Sequence, residues 1–594
     1  MKIPGRSNNP AGREPNSPSE ESERLGGRRE GSLAAWLRSW RYFFWFLGLV
    51  LVIGLFYAEE NWRGHHAWQT YKHRLEARGE RLDSKAFVPR PVRASENFAS
   101  TPFLAPLFEF IPGTQRWSAT NAVASAQGFA PGYDAAAKAV KLPKSVRSNS
   151  WVTARTDLFG WRAAFVLKGR THNAQTNGDP VDAVGFESGG AGQSDLRSPV
   201  HAETAAKGAG ATEAIHQAAA SVLAGLSECD TVIEEIRAAS QRPYSRFNLR
   251  YDEEDPAGIL LPHLGILKHL SQVLQLRASS ELDLGRSEEA AADVNLMLYL
   301  AEACRDEPIM VSQLIRMAQL KLAIQPIAEG LRQWSEPQLR GFQEKLRRFD
   351  FAADMQRALQ AERVFFGGGI IDFVQRNPDK FNALAWNGEE PNLPGMIWAT
   401  VPGGWFDFEK LNYSRLFENY EGPGLDLAAH RISPTASRQA DKRITGLVAK
   451  SWPILFLRHR VFCGFLMPGF SGPLRKTAFA QTAADTAAIA CALERYRLVH
   501  GEYPESPEAL TLSGETPAGN SRPAGATGFI DKLPNDIITG QPLKYRRTEN
   551  GQYVVYSVGW NETDDRGEVQ VGTGTDADVP QEGDWVFRRF AGDR

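Results

Sequence analysis

The feature that most constrains this chain is an uncharged apolar run, Tyr42–Ala58, reading YFFWFLGLVLVIGLFYA. As a helix its 17 residues make a rod of about 25 Å, the short end of what a bilayer core needs. Trp36, Trp40 and Trp62 stand where an interfacial aromatic belt lies, and Arg41 and Glu59 bracket the run. A buried core helix rarely carries such a run with aromatic flanks near a terminus. A cleaved signal peptide has a shorter charged lead and an Ala-x-Ala site, and no such site follows Ala58. The expectation is one uncleaved, single-pass anchor. Arg24, Arg28, Arg29, Arg38 and Arg41 precede it, against Arg63, Lys72, Arg74 and Arg78 behind it. That small excess, with the short polar tail on one side and the bulk on the other, places the N-terminus in the cytoplasm. The bulk is then extracytoplasmic, at a bacterial inner membrane.

Residues 1–41 are mostly Gly, Ser, Asn, Pro and charge, and read as a disordered cytoplasmic tail. Lys and Arg total 68 against 70 Asp and Glu, a net charge of -2 that argues against nucleic acid as a partner. Four cysteines in 594 residues exclude a disulfide scaffold. The fold class expected is multi-domain and membrane-anchored. A mainly α helical array of repeat-like hairpins comes first, and a small α+β domain follows it.

Glu59–Arg81 continues the membrane helix as a stalk, which Pro89 and Pro91 end. Residues 59–168 form the stalk and a mixed region, and 169–211, rich in Gly, Ser, Ala and Thr, a flexible linker. The array occupies 212–374. Leu260, Leu264, Leu267, Leu270 and Leu274 share one helix face, Leu284-Gly285-Arg286 stops that helix, and Ser287 caps the next, with Glu288 and Glu289 in its first turn. That helix ends before Pro308, a third runs through Ile309–Leu331, and a fourth starts near Ser335 with Pro337 in its first turn. The turn at 284–290 resembles that of a tetratricopeptide repeat, in one unit only. Residues 375–474, punctuated by Pro391, Pro394, Pro402-Gly-Gly-Trp405 and Pro423, read as irregular. Within them 452–470 is apolar but split by Arg458-His459-Arg460 and Pro468-Gly469, which makes it an interfacial or core segment rather than a span.

Residues 475–594 hold an alanine-rich helix, its glycine stop at Gly501, and a β-hairpin over 541–558. Three motifs lie there. The helix ends in Tyr496, Gly501, Tyr503 and Pro504. Leu533, Pro534, Asp536, Gly540, Pro542 and Tyr545 follow. A strand then closes with Tyr556, Ser557 and Gly559. In this order they resemble the globular domain of the type II secretion major pseudopilins. The resemblance implies a small α+β fold that is a separate unit, and protein partners. It also implies calcium in the loop after the last strand motif, where Asn561, Asp564 and Asp565 stand, with Asn561 replacing the family's usual Asp. Read from the residues alone, the same loop is a solvated acidic turn. A pseudopilin begins with its membrane helix running straight into the long one. Here the anchor lies over 400 residues upstream, so the domain reads as a reused module.

No His-Glu-x-x-His, Cys-x-x-Cys, Gly-x-Ser-x-Gly or P-loop occurs. His65, His66 and His73 adjoin the membrane without a carboxylate partner in sequence. Gly189–Gly192 neither follows a strand nor opens a helix. Glu281, Asp283, Glu288, Glu289, Glu302, Asp306, Glu307 and Glu362 read as the solvated face of the array. Cys229, Cys304, Cys463 and Cys491 read as buried thiols, with one exported disulfide open. No catalytic residue or organic cofactor is assigned. The function expected is an extracytoplasmic protein-interaction role, secretion- or envelope-associated. The rival reading is a membrane-anchored hydrolase with its site in 94–211 or 376–450.

Overall fold

The computed structural model describes residues 30–139, 155–166, 209–253, 255–381, 398–448, 450–467, 472–511, 528–568, 579 and 582–588. Most of the 1–41 tail, most of the 169–211 linker and Gly189–Gly192 lie outside the described residues. Helix α1 (Glu30–Ala77) contains the apolar run but starts at Glu30, well inside the stretch read as disordered tail. Leu33, Ala34, Ala35 and Leu37 are good helix formers, and extending an existing helix avoids the cost of nucleation. Side chains from Tyr42 to Phe56 face away from the protein: Trp45 is 76% exposed and Leu51 63%. A core helix would be covered there. Among the described residues this is the one helix long and apolar enough to cross a membrane. It ends before the prolines do their work. Gly79, at φ 82°, closes it. Gly79 N–H bonds Glu76 O at 2.9 Å and Glu80 N–H bonds Leu75 O at 3.1 Å, the paired bonds of a glycine-terminated helix.

Short helices follow, α2 (Thr120–Gln127) and α3 (Pro131–Ala139), and then the array. Its helices are α4 (Ala209–Leu226), α5 (Asp230–Ala239), α6 (Pro262–Asp283), α7 (Ser287–Ala303), α8 (Met310–Glu329), α9 (Glu336–Leu346) and α10 (Phe351–Glu362). Helices α6, α7 and α8 pack against one another in sequence order, and α4 lies on α6. The boundaries follow the signals in the sequence. Gly285 (φ 74°) ends α6, with Arg286 N–H on Glu281 O at 2.9 Å. Ser335 and Gln338 form a reciprocal capping box at α9. Ser287 departs from expectation. It is the first helical residue of α7 rather than its cap, and Arg286 precedes it without a side-chain cap bond.

After α10 the chain passes through a π-helical turn, Arg363–Gly368, into α11 (Gly369–Arg376). Glu362 is buried there, and its carboxylate accepts the Met310 N–H at 2.9 Å. Loss of water pushes its pKa up to about 7. A carboxyl whose native pKa is raised gives stability that is complete below its ordinary value and is lost as pH climbs through about 7. Glu362→Gln keeps an acceptor for Met310 and removes the titration. The loss of stability between pH 5.5 and 8.5, measured by denaturant melts at each pH, is therefore expected to be smaller in this variant by about 2 kcal/mol. An identical fall in both proteins would clear Glu362 of this role.

The region read as irregular, 375–474, is largely helical where described. It holds α12 (Gly403–Gly424), α13 (Pro434–Val448), α14 (Trp452–Leu457) and α15 (Val461–Leu466). Pro402 precedes the first turn of α12 and Pro423 falls in its last, so neither interrupts it; aromatic side chains bury the helix between. A two-stranded ribbon, β1 (Leu425–Asp426) with β2 (Arg431–Ile432), follows α12. Helix α12 is the dock for the stalk. A Cβ on Gly64 would sit 2.0 Å from Gly404 O, and one on Gly404 2.1 Å from Glu60 O, so two bare backbones cross here. Asn61 accepts the Gly404 N–H at 2.8 Å, Tyr71 donates to Glu418 at 2.6 Å, and Glu60 meets His459 at 2.7 Å. Arg363 pairs with Glu80 just past the end of α1. The 452–470 segment is part of this packing: Val461, Phe462 and Cys463 are buried, and their helix start is capped by the buried Glu409.

The last layer is α16 (Pro473–His500) with an antiparallel sheet of β3 (Lys544–Arg547), β4 (Tyr553–Ser557) and β5 (Trp585–Arg588), β4 in the centre. The expected hairpin is present in the register Lys544↔Tyr556. Helix α16 is buried almost continuously from Pro473 to Arg495. Its alanines let neighbouring elements approach closely, and polar residues such as Gln481, Thr486 and Glu494 are buried with them. Here α8, α9 and α10 cover it from one direction and β4 and β5 from another. The domain drawn at 475–594 is thus joined to the array through its own longest helix.

Candidate functional site

The motif residues of the C-terminal module form its internal frame. Asp536 is buried and accepts three bonds, from Ile538 N–H at 2.9 Å, Ser557 Oγ at 2.8 Å and Val558 N–H at 3.3 Å. It thereby ties the Leu-Pro-Asn-Asp segment to the end of β4. Burial holds its carboxyl above the ordinary range, against the pull of those donors. Tyr545 donates to Pro504 O at 2.5 Å, and Tyr503 donates to the buried Glu494 of α16. Gly559 sits at φ 71°, where a Cβ would lie 2.4 Å from Gly583 O. Each motif therefore bonds helix, turn and strand to one another.

Beyond Gly559 runs the acidic loop. Asn561 and Asp565 are brought together: Asn561 Nδ2 donates to Asp565 Oδ2 at 3.0 Å. Asn561 Oδ1 accepts the Thr563 N–H at 3.1 Å. Asp564 is not part of that pair. Its Oδ1 accepts the Tyr556 hydroxyl at 3.1 Å and the Arg566 N–H at 3.0 Å, and Lys544 lies 3.6 Å from Oδ2. These donors hold its carboxyl below the usual range despite some burial. The loop is organised by Asp584, which the sequence reading missed. Asp584 is 1% exposed and accepts the N–H groups of Asp565, at 3.2 Å, and Gly567, at 2.6 Å. Calcium wants converging oxygens. In this arrangement Asn561 and Asp565 are bonded to each other, whereas Asp564 is engaged by Tyr556, the Arg566 N–H and Lys544.

Residues 471–581 match the family model of type II secretion system protein G. The matched span is less than a fifth of the chain and covers α16, the motif frame and most of the acidic loop. No curated protein and no solved structure matches the chain. The matched module is held by elements from the rest of the chain. Arg438 of α13 donates to Trp560 O at 2.7 Å and pairs with Glu562, so the helix before the module covers its loop. Arg495 of α16 reaches Glu336 at 3.0 Å and Gln343 at 2.8 Å, both on α9.

Elsewhere the acids of the array divide. Glu288, Glu289 and Asp306 are exposed, as a solvated face requires, whereas Glu281, Glu307 and Glu362 are buried. All four cysteines are buried and unbridged. Helical spacing marks which face an acid occupies, but not whether a neighbouring helix covers that face. Those three buried acids were legible only once α6, α8 and α10 were packed.

Proposed function

We propose that this chain is a single-pass protein of the bacterial inner membrane with its N-terminus in the cytoplasm and its bulk outside. In this reading the protein G module is a fixed element for protein–protein contact beside a secretion machine. The observation that carries it is the placement of α16. Its stretch from Pro473 to Arg495 lies between the module's sheet and the chain's own array. Because the chain's own array occupies the flank of that helix, the module is read as part of an anchored partner rather than as a filament subunit. The match to a secretion component supports the setting. The exposed apolar length of α1 supports the anchor, and the glycine crossing of α1 and α12 supports a stiff link from membrane to array.

Alkaline phosphatase fused after Arg594 is expected to be active, and deletion of 42–58 to release the protein from the membrane fraction. An inactive fusion would reverse the orientation. A photo-crosslinking residue at the exposed Val499 of α16 is expected to capture type II secretion components in the native cell. No such adducts, together with unchanged export after deletion of 472–588, would refute the secretion role and leave the topology result standing.

A further inference from the structure

Three side chains that no motif connects meet inside the array. His263, in the first turn of α6, is fully buried. Cys304 directly follows α7, and Glu307 lies three residues on, in the connection to α8. One donor atom from each lies within 4.8 Å of the other two. His263 Nε2 is 2.8 Å from Glu307 Oε1, and Ser312 donates to the other oxygen of the same carboxylate. The imidazole is held by ring contacts, 4.2 Å from Phe247 and 5.5 Å from Phe108. Two polar atoms here lack a partner, His263 Nδ1 and the Tyr251 hydroxyl. Tyr251 lies in the field of both Glu307 and Cys304. A self-sufficient buried polar network satisfies every member. This one does not.

The donor set has its own logic. A thiolate, an imidazole and a carboxylate form the borderline-soft combination that suits Zn²⁺. Bonds of about 2.0–2.3 Å in a tetrahedron put ligand atoms about 3.3–3.8 Å apart, well inside the observed spread, so the cluster reaches that shell by small turns of side chains. Charge also closes, since Cys304 and Glu307 as anions balance one divalent cation, as a buried site requires. Without a cation, burial holds the Cys304 thiol protonated. Metal binding would release that proton to solvent and form the sulfur–metal bond in its place.

We propose that His263, Cys304 and Glu307 bind a structural Zn²⁺, and that the ion staples the start of α6 to the α7–α8 connection. This stands apart from the secretion role. The full chain, purified in detergent, is expected to carry about one zinc per molecule. Grown in cobalt with zinc depleted, it is expected to carry Co²⁺ with a thiolate charge-transfer band in the near ultraviolet and the visible bands of a tetrahedral ion. Cys304→Ser should lose the charge-transfer band. Glu307→Gln, close in shape, should hold less than about a tenth of the metal. The loaded wild type should melt ~5 °C or more above the metal-free protein, a difference the variant lacks. Metal-free protein from both media, cobalt bound without the thiolate band, or equal metal content in wild type and Glu307→Gln would each overturn the site. If both variants fail to fold, the cobalt spectrum of the wild type decides alone.

Discussion

Residues 475–594 expressed alone are expected to give an insoluble product, or one that melts without a cooperative transition. Helix α16 holds the reason. From Pro473 to Arg495 nearly every side chain is buried, and the module's own sheet covers only part of that surface. The array covers the rest with specific bonds. Gln481 accepts the Phe351 N–H at 2.9 Å and donates to Phe349 O at 3.2 Å, Lys321 lies 5.3 Å above the Phe479 ring, and Arg495 reaches Glu336 and Gln343. Each large apolar side chain returned to water costs about 1.5–3 kcal/mol, and an ordinary domain has about 5–15 kcal/mol in all. Exposing one flank of α16 therefore removes most of what a fragment of this size possesses. Co-expression with residues 1–474 is expected to restore solubility, and the two pieces should co-purify. A soluble 475–594 fragment with a sharp melt would show that the module is independent and the array contact incidental.

The boundary at 475 rests on signals that act within a few residues and say nothing about what packs against the module from outside. Gly501, Pro504 and the hairpin alternation are local signals, and local signals closed the module as drawn. The alanines of α16, such as Ala480, Ala484, Ala487 and Ala488, say only that other backbones approach closely. They do not say which. The stop at Gly285, the capping box at Ser335 and the order of α6, α7 and α8 were legible, because turn and cap chemistry acts within a few residues. The apolar run was legible for the same reason. Helix α12 was not. Pro402 and Pro423 looked like breaks, and only packing against α1 and α15 shows that they stand at its two ends. In the candidate site the motifs were legible and Asp584 was not, since it reaches the loop from 19 residues away, across a stretch with no pattern of its own.

Arg316→Ala is expected to lower the melting temperature of the full chain by roughly 3 °C. Arg316 is completely buried at the meeting of α7, α8 and α10. Its Nε donates to Ala301 O at 2.8 Å, Nη2 to Glu302 at 2.6 Å and Nη1 to Asp354 at 3.0 Å, and the guanidinium lies 5.4 Å over the Phe351 ring. Asp354, itself buried, keeps Arg305 and Arg357, but their side chains are 40% and 43% exposed and reach it from the solvent side. Removing the central cation leaves a buried carboxylate short of its inner partner, a loss of about 3–5 kcal/mol. Lysine should recover little, because one ammonium cannot reproduce the planar fork that meets three acceptors at once. Pairing Arg316→Met with Asp354→Leu should recover much of the loss, since an apolar pair of similar volume removes both buried charges. A shift below about 2 °C in Arg316→Ala would mean that the exposed arginines already satisfy Asp354. The consequence reaches the module. Phe351, on which the guanidinium lies, donates its backbone N–H to Gln481 of α16. The Arg316→Ala protein should therefore show faster proteolysis within 473–500 than wild type at a temperature where both remain folded. That result would tie the rigidity of the array directly to the seating of the secretion-type helix.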